Sequence, residues 1–340
     1  MRKIGIITFH NAVNYGAVLQ AYALKYVIKT LFPKDDVNVI NYKNYFIEKT
    51  YKVIQKKKSL ISFLFQFIYV IDKLIVNQKF KNFSNEYLVD SEEKKIKDFD
   101  IIIYGSDQIW NPLLTDNDLI FLGEGFSGIK IAYAASDDGK LNLFGDSVEL
   151  IKKFSSLSCR EEYLSKNLRE ILDFKTIQTV CDPVFLLKNE EWQNFLVEPK
   201  LKSEYVLLYQ VVRNEEFEKK AIDFAKETKR ELINIVYCRS IKSFMKRGIR
   251  TISRVSPKEF VGYFYGAAFV FTSSFHGTAF SIIFRKPFIT TKTNERINNL
   301  CSILDLANRN EFYSSDFENS LSAYREKSLD YIKSAIGDVL

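Results

Sequence analysis

The stretch "KIGIITFHNAVNYGAVLQAYALKYVIKTLFPKDDVNVINY", residues 3–42, constrains the fold more than any other. It opens on an almost unbroken apolar run and passes through a polar turn. It continues with Val18, Leu19, Tyr22, Ala23, Tyr26 and Val27 at helical spacing, then returns to a β-branched run at 36–42. A strand that is apolar at nearly every position must be covered on both faces, as in a parallel sheet flanked by helices. Pro33 stops the helix. Strand, helix and strand in that order predict a β-α-β unit.

The pattern recurs. Strands are expected in "FDIIIYGSDQIWNP" (99–112), "KIAYAAS" (130–136), around "LSC", and in "KTIQTVCDPVFLL" (175–187). After the charged stretch "KNEEWQNFLVEPKLKS" (188–203) it restarts. Strands are expected at 204–211 and 231–238 and in "AFVFTSS" and "PFIT", with helices near 214–229 and in "SPKEFVGYFYGA", "HGTAFSIIF", "NERINNLCSILDL" and the C-terminal "SLSAYREKSLDYIKSAIGDVL". Ser256, Pro257 and Glu259 spell a capping box with proline at the first helical position. The expectation is an α/β chain of two Rossmann-like, doubly wound domains, 1–195 and 196–315, with a cleft between them. A C-terminal helix, 316–340, is expected to pack back on the first. Ligands of such sheets bind beyond the carboxyl ends of the strands, so the turns that follow strands are where chemistry is sought.

Charge and cysteine usage narrow the partners. The formal charge of +7 favours anionic ligands in general. No basic block is interleaved with aromatics as a nucleic-acid groove requires, so no nucleic acid is expected. Cys159, Cys181, Cys238 and Cys301 form no CxxC pair and there are two histidines in all, so no metal site is expected and the thiols read as reduced and buried. The start "MRKIGIITFHNAVNYG" has no secretory apolar region, and the expected location is the cytoplasm. "SLISFLFQFIYVIDKLIV" (59–76) is very apolar, but Asp72 and Lys73 make it a poor membrane span. It reads either as a buried helix or as an interfacial one flanked by Lys56, Lys57, Lys58, Lys79 and Lys81. The second reading makes 55–81 a candidate peripheral contact with the inner face of the plasma membrane.

Four strand-end turns carry candidate chemistry. In "FHNAVNYGA", His10, Asn14, Tyr15 and Gly16 precede a helix N-terminus, which either attracts an anion or is simply shaped by Asn14 and Gly16. The turn lacks GxGxxG and any Walker pattern. In "YGSDQIWNP", Ser106, Asp107, Gln108 and Trp110 read either as a sugar-binding surface, with Trp110 stacking, or as a capped helix with a packed ring. In "SCREEYL", Arg160 suits a carboxylate or phosphate, or pairs with Glu161 or Glu162. In "FVFTSSFHGTAF", Ser273 and Ser274 lead into His276, a candidate acid or base near neutral pH. The amides of Gly277 and Thr278 are candidates to cradle an anion.

"NYGAVLQAYAL", "GSDQIWN", "SCREEYL", "CDPVFLL", "SPKEFVGYFYGAAFVFTSSFHGTAFSIIFRKPF" and "ERINNLCSILDL" occur together and in order. This set resembles the polysaccharide pyruvyl transferase family over roughly residues 3–310. The resemblance implies a GT-B-like fold and transfer of pyruvate from phosphoenolpyruvate, with no cofactor. The acceptor would be a glycan or a lipid-linked oligosaccharide, ketalated across two hydroxyls. It implies His276 and Arg160 as catalytic residues. Donor binding is expected at Ser273, Ser274, Gly277, Thr278, Arg285 and Lys286. Acceptor binding is expected at His10, Asn14, Tyr15, Asp107, Gln108 and Trp110.

Two departures stand out. Many members carry Arg-Leu-His where this chain has Ser274-Phe275-His276, and Asn-x-Gly-Asp where it has Asn14-Tyr15-Gly16-Ala17. Arg285, Lys286, Arg254 and Lys292 are candidates to replace the missing arginine. Two alternatives remain, a GT-B glycosyltransferase using a nucleotide sugar and a degenerate member that only binds glycan.

Overall fold

The computed structural model describes residues 1–46, 60–90, 94–137, 139, 145–172, 176–201, 203–239, 248–291, 295–306 and 313–338, with backbone alone at 60–66. The described residues form eleven strands: β1 Lys3–Ile7, β2 Asp36–Val39, β3 Ile101–Tyr104, β4 Ile129–Ala135, β5 Ser156–Cys159, β6 Gln178–Thr179, β7 Tyr205–Tyr209, β8 Glu231–Ile235, β9 Arg250–Ile252, β10 Phe269–Thr272 and β11 Phe288–Thr290. The helices used below are α1 Tyr15–Leu31, α2 Leu60–Phe83, α3 Asp146–Lys152, α4 Glu162–Leu172, α5 Asn189–Phe195, α6 Glu215–Glu227, α7 Pro257–Gly266, α8 Phe275–Ile283, α9 Glu295–Ile303 and α10 Ser315–Gly337.

The described residues form two compact units, one drawn from 1–52, 84–187 and 321–340, the other from 53–83 and 188–320. Unit 1 holds a parallel sheet in the order β2-β1-β3-β4-β5-β6. Unit 2 holds a parallel sheet in the order β11-β10-β7-β8-β9. In each the chain winds one way, then returns to the far side of its starting strand. The winding direction reverses between β1 and β3 in unit 1 and between β7 and β10 in unit 2, and the crevice beyond such a reversal is where doubly wound sheets take ligands. The buried faces follow the apolar runs: β1 buries Ile4, Ile6 and Ile7, and β3 and β7 are buried throughout.

Caps set several of the boundaries. Asn14 Oδ1 accepts from the amides of Gly16 and Ala17 and starts α1. Ser256 and Glu259 close their box reciprocally, at 3.3 and 2.7 Å, to start α7. The expected strand at 175–187 is only the two-residue β6, followed by a turn at Pro183 that Asp182 caps. β9 was not expected: three residues, none fully buried, leave no apolar run to detect.

The division differs from a cut at 195. Helix α5 belongs to unit 2, because Trp192 is fully buried there with its ring edge-on to Phe280 at 5.1 Å. Helix α2 belongs there too, although it lies early in the sequence. Its Asp72, Val76, Phe80 and Phe83 share one buried face, Phe83 meets Phe195 at 6.1 Å, and Lys79 pairs with Glu259 at 2.9 Å. The same helix exposes Phe67 and Leu74. Among the described residues no helix is long and apolar enough to cross a membrane. From Leu321 onward α10 lies in unit 1. The Tyr331 hydroxyl donates to Ala132 O at 2.8 Å, and Ser328 Oγ accepts from the Cys181 amide at 2.9 Å.

Candidate functional site

At the reversal point of unit 1 the turn after β3 is tightly built. Gly105 has φ 130°, and a Cβ there would sit 2.0 Å from Tyr133 O, so only glycine fits. The Gly105–Ser106 peptide is cis, and Asp107 has φ 68°, a left-handed conformation that aspartate tolerates better than most residues. Ser106 is buried, with its amide on Gln20 Oε1 and its hydroxyl on Ala134 O. Asp107 O accepts the Ser136 amide at 3.1 Å, which ties this turn to the one after β4.

Arg160 follows β5 and is 3% exposed. Its Nε donates to Glu161 Oε1 at 2.8 Å, Nη1 to Asp182 Oδ2 at 2.9 Å and Nη2 to Ser136 Oγ at 2.9 Å, while Asp107 Oδ1 stands 3.9 Å from Nη1. Burial opposes its charge, but Glu161, Asp182 and Asp107 outweigh burial and raise its pKa, so it is a fixed cation. Arg160 is thus committed to three carboxylates, and its surroundings are acidic. Of the two readings of Arg160, the pairing with Glu161 is the one found, and the expected catalytic guanidinium open to a phosphate or carboxylate is corrected: Arg160 organises the strand-end turns of β3, β4, β5 and β6. Of the carboxylates around it, Asp107 is the one with an accessible side chain, 13% exposed.

The remaining unit 1 candidates divide. His10 is buried between Thr8 O and Asn41 Oδ1, each 3.2 Å from a ring nitrogen. Burial lowers its pKa, outweighing the bonds to Asn41 and Thr8 that raise it, so the ring is neutral at neutral pH. Asn14 is spent as a cap, and Tyr15 is fully buried. Gln108 accepts from Asn111 Nδ2 at 2.9 Å. Trp110 is a core residue: its Nε1 donates to Phe121 O at 2.9 Å and its ring lies edge-on to Phe154 at 6.3 Å. Of the two readings of Trp110 the packed ring is the one found, so it offers no face for a sugar to stack on, and the burial of Tyr15 corrects its expected acceptor role. Both corrections have one cause, since residue spacing names a side chain without saying which way it points.

At the reversal point of unit 2, Ser274 caps α8, with His276 in its first turn. Ser274 Oγ accepts the Gly277 amide at 3.2 Å and Ser274 O the Thr278 amide at 2.9 Å. The two amides expected to cradle an anion are therefore engaged by the cap. Gly277 is required by packing rather than by ligand approach, for a Cβ there would meet Thr272 Oγ1 at 2.3 Å. Ser273 Oγ accepts the Val211 amide, which joins the turns after β7 and β10. His276 is 9% exposed, and its ring packs edge-on to Phe275 at 5.3 Å.

Arg285 and Lys286 follow the opposite end of α8, about 13 Å along a nine-residue helix from the His276 turn. Arg285 donates to Ile282 O and Ile283 O and pairs with Glu318, and Lys286 Nζ lies over the Tyr265 ring at 5.6 Å. Burial lowers the Lys286 pKa against the opposing effect of Glu204. Both residues face the amino edge of the sheet, so the expected donor role is corrected for both. Lys292 lies outside the described residues.

Sequence reasoning passed over Ser136 and Asp182, and named Glu161 only as a pairing partner of Arg160. The available signal was the polar residue closing each expected strand, as in "AAS" and "CDP". Among the described residues no group of three or more His, Cys, Asp and Glu is arranged to hold a metal ion.

Solved structures share the fold. The UDP-GlcNAc 2-epimerase of Neisseria meningitidis bound to UDP-GlcNAc is 9% identical, with 100% of this chain and 98% of that one covered at a TM-score of 0.51. S. aureus MnaA, solved with UDP, is 11% identical over 98% of this chain and 91% of that one, at a TM-score of 0.51. This likeness assigns the GT-B-like fold. No curated protein matches the sequence significantly. The model of the family described as polysaccharide pyruvyl transferase matches residues 14–294. With a match over most of its length, the chain belongs to the polysaccharide pyruvyl transferase family.

Proposed function

We propose that this protein moves the pyruvyl group of phosphoenolpyruvate onto two hydroxyls of one sugar, in a cell-surface polysaccharide or its lipid-linked precursor, and releases phosphate. The observation that carries this reading is that the Asp107 turn and the His276 turn each stand at the winding reversal of their own sheet, where ligands of this fold class are taken. His276 delivers a proton to the donor methylene, and C2 gains cation character. A sugar hydroxyl adds to C2 and gives up its proton. The C2–O bond to phosphate then breaks with its electron pair on the leaving oxygen, and the second hydroxyl closes the ketal. One hydroxyl proton restores His276 and the other leaves on phosphate. Asp107, with Gln108 beside it, is the carboxylate that accepts from a sugar hydroxyl, and Arg160 fixes its place. No cofactor takes part. For a lipid-linked acceptor, α2 with its exposed Phe67 and Leu74 rests against the cytoplasmic face of the membrane. The lysines expected to help at 56–58 lie outside the described residues.

The test is phosphate release from phosphoenolpyruvate with candidate acceptors, paired with mass detection of the pyruvyl ketal and a thermal-shift comparison of phosphoenolpyruvate with UDP- and GDP-sugars. His276→Ala should lower turnover by about 10²–10⁴-fold while the protein stays folded. Stabilisation by a nucleotide sugar alone, with no phosphate released, would sink the reading.

A further inference from the structure

Thr290 closes β11 at the carboxyl edge of the unit 2 sheet, one strand from the His276 turn. It pairs in register with Thr272, the last residue of β10. Residues paired in register on parallel strands point to the same face, so the two threonine side chains share one. That face is the one under the first turn of α8. Thr272 Oγ1 accepts the Ser274 amide at 3.1 Å, and a Cβ on Gly277 would stand 2.3 Å from it. The other buried hydroxyls of α8 are also bonded. Thr278 Oγ1 donates to Ser274 O at 3.0 Å, and Ser281 Oγ donates to Gly277 O at 2.8 Å. Thr290 breaks this pattern. The residue is 7% exposed, and its buried hydroxyl meets no hydrogen-bond partner among the described residues. A buried hydroxyl without a partner costs stability, and valine, with nearly the same shape, would avoid the cost. A strand end beside a candidate catalytic turn is where such a cost points to a ligand.

We propose that Thr290 is a donor-binding residue, whose hydroxyl donates to an oxyanion of phosphoenolpyruvate held at the His276 turn. This rests on the pyruvyl-transfer reading above and adds a contact to its donor side. The ends of β10 and β11 stand about 4.8 Å apart, which makes the Thr290 side chain a neighbour of the start of α8. A helix start favours negative charge, and the first turn of α8 carries no acidic residue to compete for that place. The hydroxyl is shielded from water, where a hydrogen bond to an anion is stronger than at the surface. Phosphate and carboxylate offer the same acceptor chemistry, and phosphoenolpyruvate carries both.

Melting midpoints of the full chain, followed against rising phosphoenolpyruvate, inorganic phosphate and pyruvate, test the contact. Thr290→Val keeps the shape and removes the donor, and Thr290→Ser keeps the donor. Without ligand, Thr290→Val should melt at or above wild type, since it loses a polar group that bonds to nothing. It should need about tenfold more phosphoenolpyruvate, or beyond, for the same stabilisation, while Thr290→Ser stays close to wild type. Weakening toward inorganic phosphate alone assigns the hydroxyl to the phosphate group, and weakening toward pyruvate alone assigns it to the carboxylate. Three results overturn the proposal. Thr290→Val responds to all three ligands as wild type does, or none of the three stabilises wild type. The third is a ligand-free Thr290→Val that melts well below wild type while Thr290→Ser does not, for the hydroxyl would then be bonded within the fold. Thr290-dependent binding of phosphate or pyruvate, with no phosphate released from phosphoenolpyruvate to any acceptor, keeps the oxyanion contact and sinks the pyruvyl-transfer reading instead.

Discussion

Replacing Arg160 by methionine keeps most of the side-chain stem and removes the charge on which unit 1 converges. Glu161 Oε1 at 2.8 Å and Asp182 Oδ2 at 2.9 Å then face each other without a cation, in a place where the guanidinium is 3% exposed. Breaking a buried ion pair from one side costs about 3–5 kcal/mol, because the partner charge stays buried and uncompensated. For a unit of this size each kcal/mol moves the thermal midpoint by roughly 2–4 °C, so the midpoint should fall by about 6–20 °C near neutral pH. The loss should shrink in acid. Carboxylates deprived of their cation take up protons on folding, so the variant regains stability relative to wild type as pH falls. Differential scanning calorimetry across pH measures both effects, and Arg160→Met combined with Asp182→Asn should recover part of the loss. A midpoint within about 2 °C of wild type at neutral pH would refute the reasoning and return Arg160 to the ligands.

Three further outcomes are expected. The lowered pKa of His10 means that, as pH falls through the ordinary histidine value of about 6.5, the unfolded chain takes up a proton that the folded one refuses; stability present above that pH is lost below it, and His10→Gln should flatten the dependence of the melting midpoint between about pH 7 and 5, whereas equal slopes would count against it. Gly105→Ala meets both a left-handed backbone and Tyr133 O, while Gly125→Ala, at φ 74° with open space around it, meets backbone strain of about 1–3 kcal/mol alone; chemical denaturation should rank Gly105→Ala as clearly the worse, and equal losses would remove the steric argument. Trp110→Phe should lose about 1–3 kcal/mol by leaving Phe121 O without its donor, with acceptor KM unmoved; the reverse pattern would restore the ring to a sugar.

The parts legible in sequence are those where local rules and burial agree. β1, α1, α7 and the restart at β7 announce themselves because an apolar run, a helical stripe or a cap leaves a pattern in adjacent letters. The allegiance of α2 and α5 does not, because it is decided by what Phe83, Trp192 and Phe280 meet in three dimensions. The same limit separates His276 from Arg285. Both sit near α8 in sequence, yet a helix of nine residues carries them to opposite edges of the sheet. Arg160 was recognisable as a strand-end arginine, but its commitment to Asp182, distant in sequence, was not.

The interleaving of the two units has a consequence for the order in which they can be completed during synthesis. Unit 1 needs Leu321, Tyr331, Ile332 and Ile336, all buried, and unit 2 needs α2, made before every strand of its own sheet. At roughly 5–20 residues per second, the amino-terminal sheet waits many seconds on the ribosome with the surface meant for α10 uncovered. Meanwhile α2 is carried as an orphan until the turns after β8 and β9 supply Arg239 and Arg254, which pair with its Asp72. A nascent chain of this design gains its last stabilising contacts all at once, so a truncation within α10 should damage the beginning of the protein more than its end.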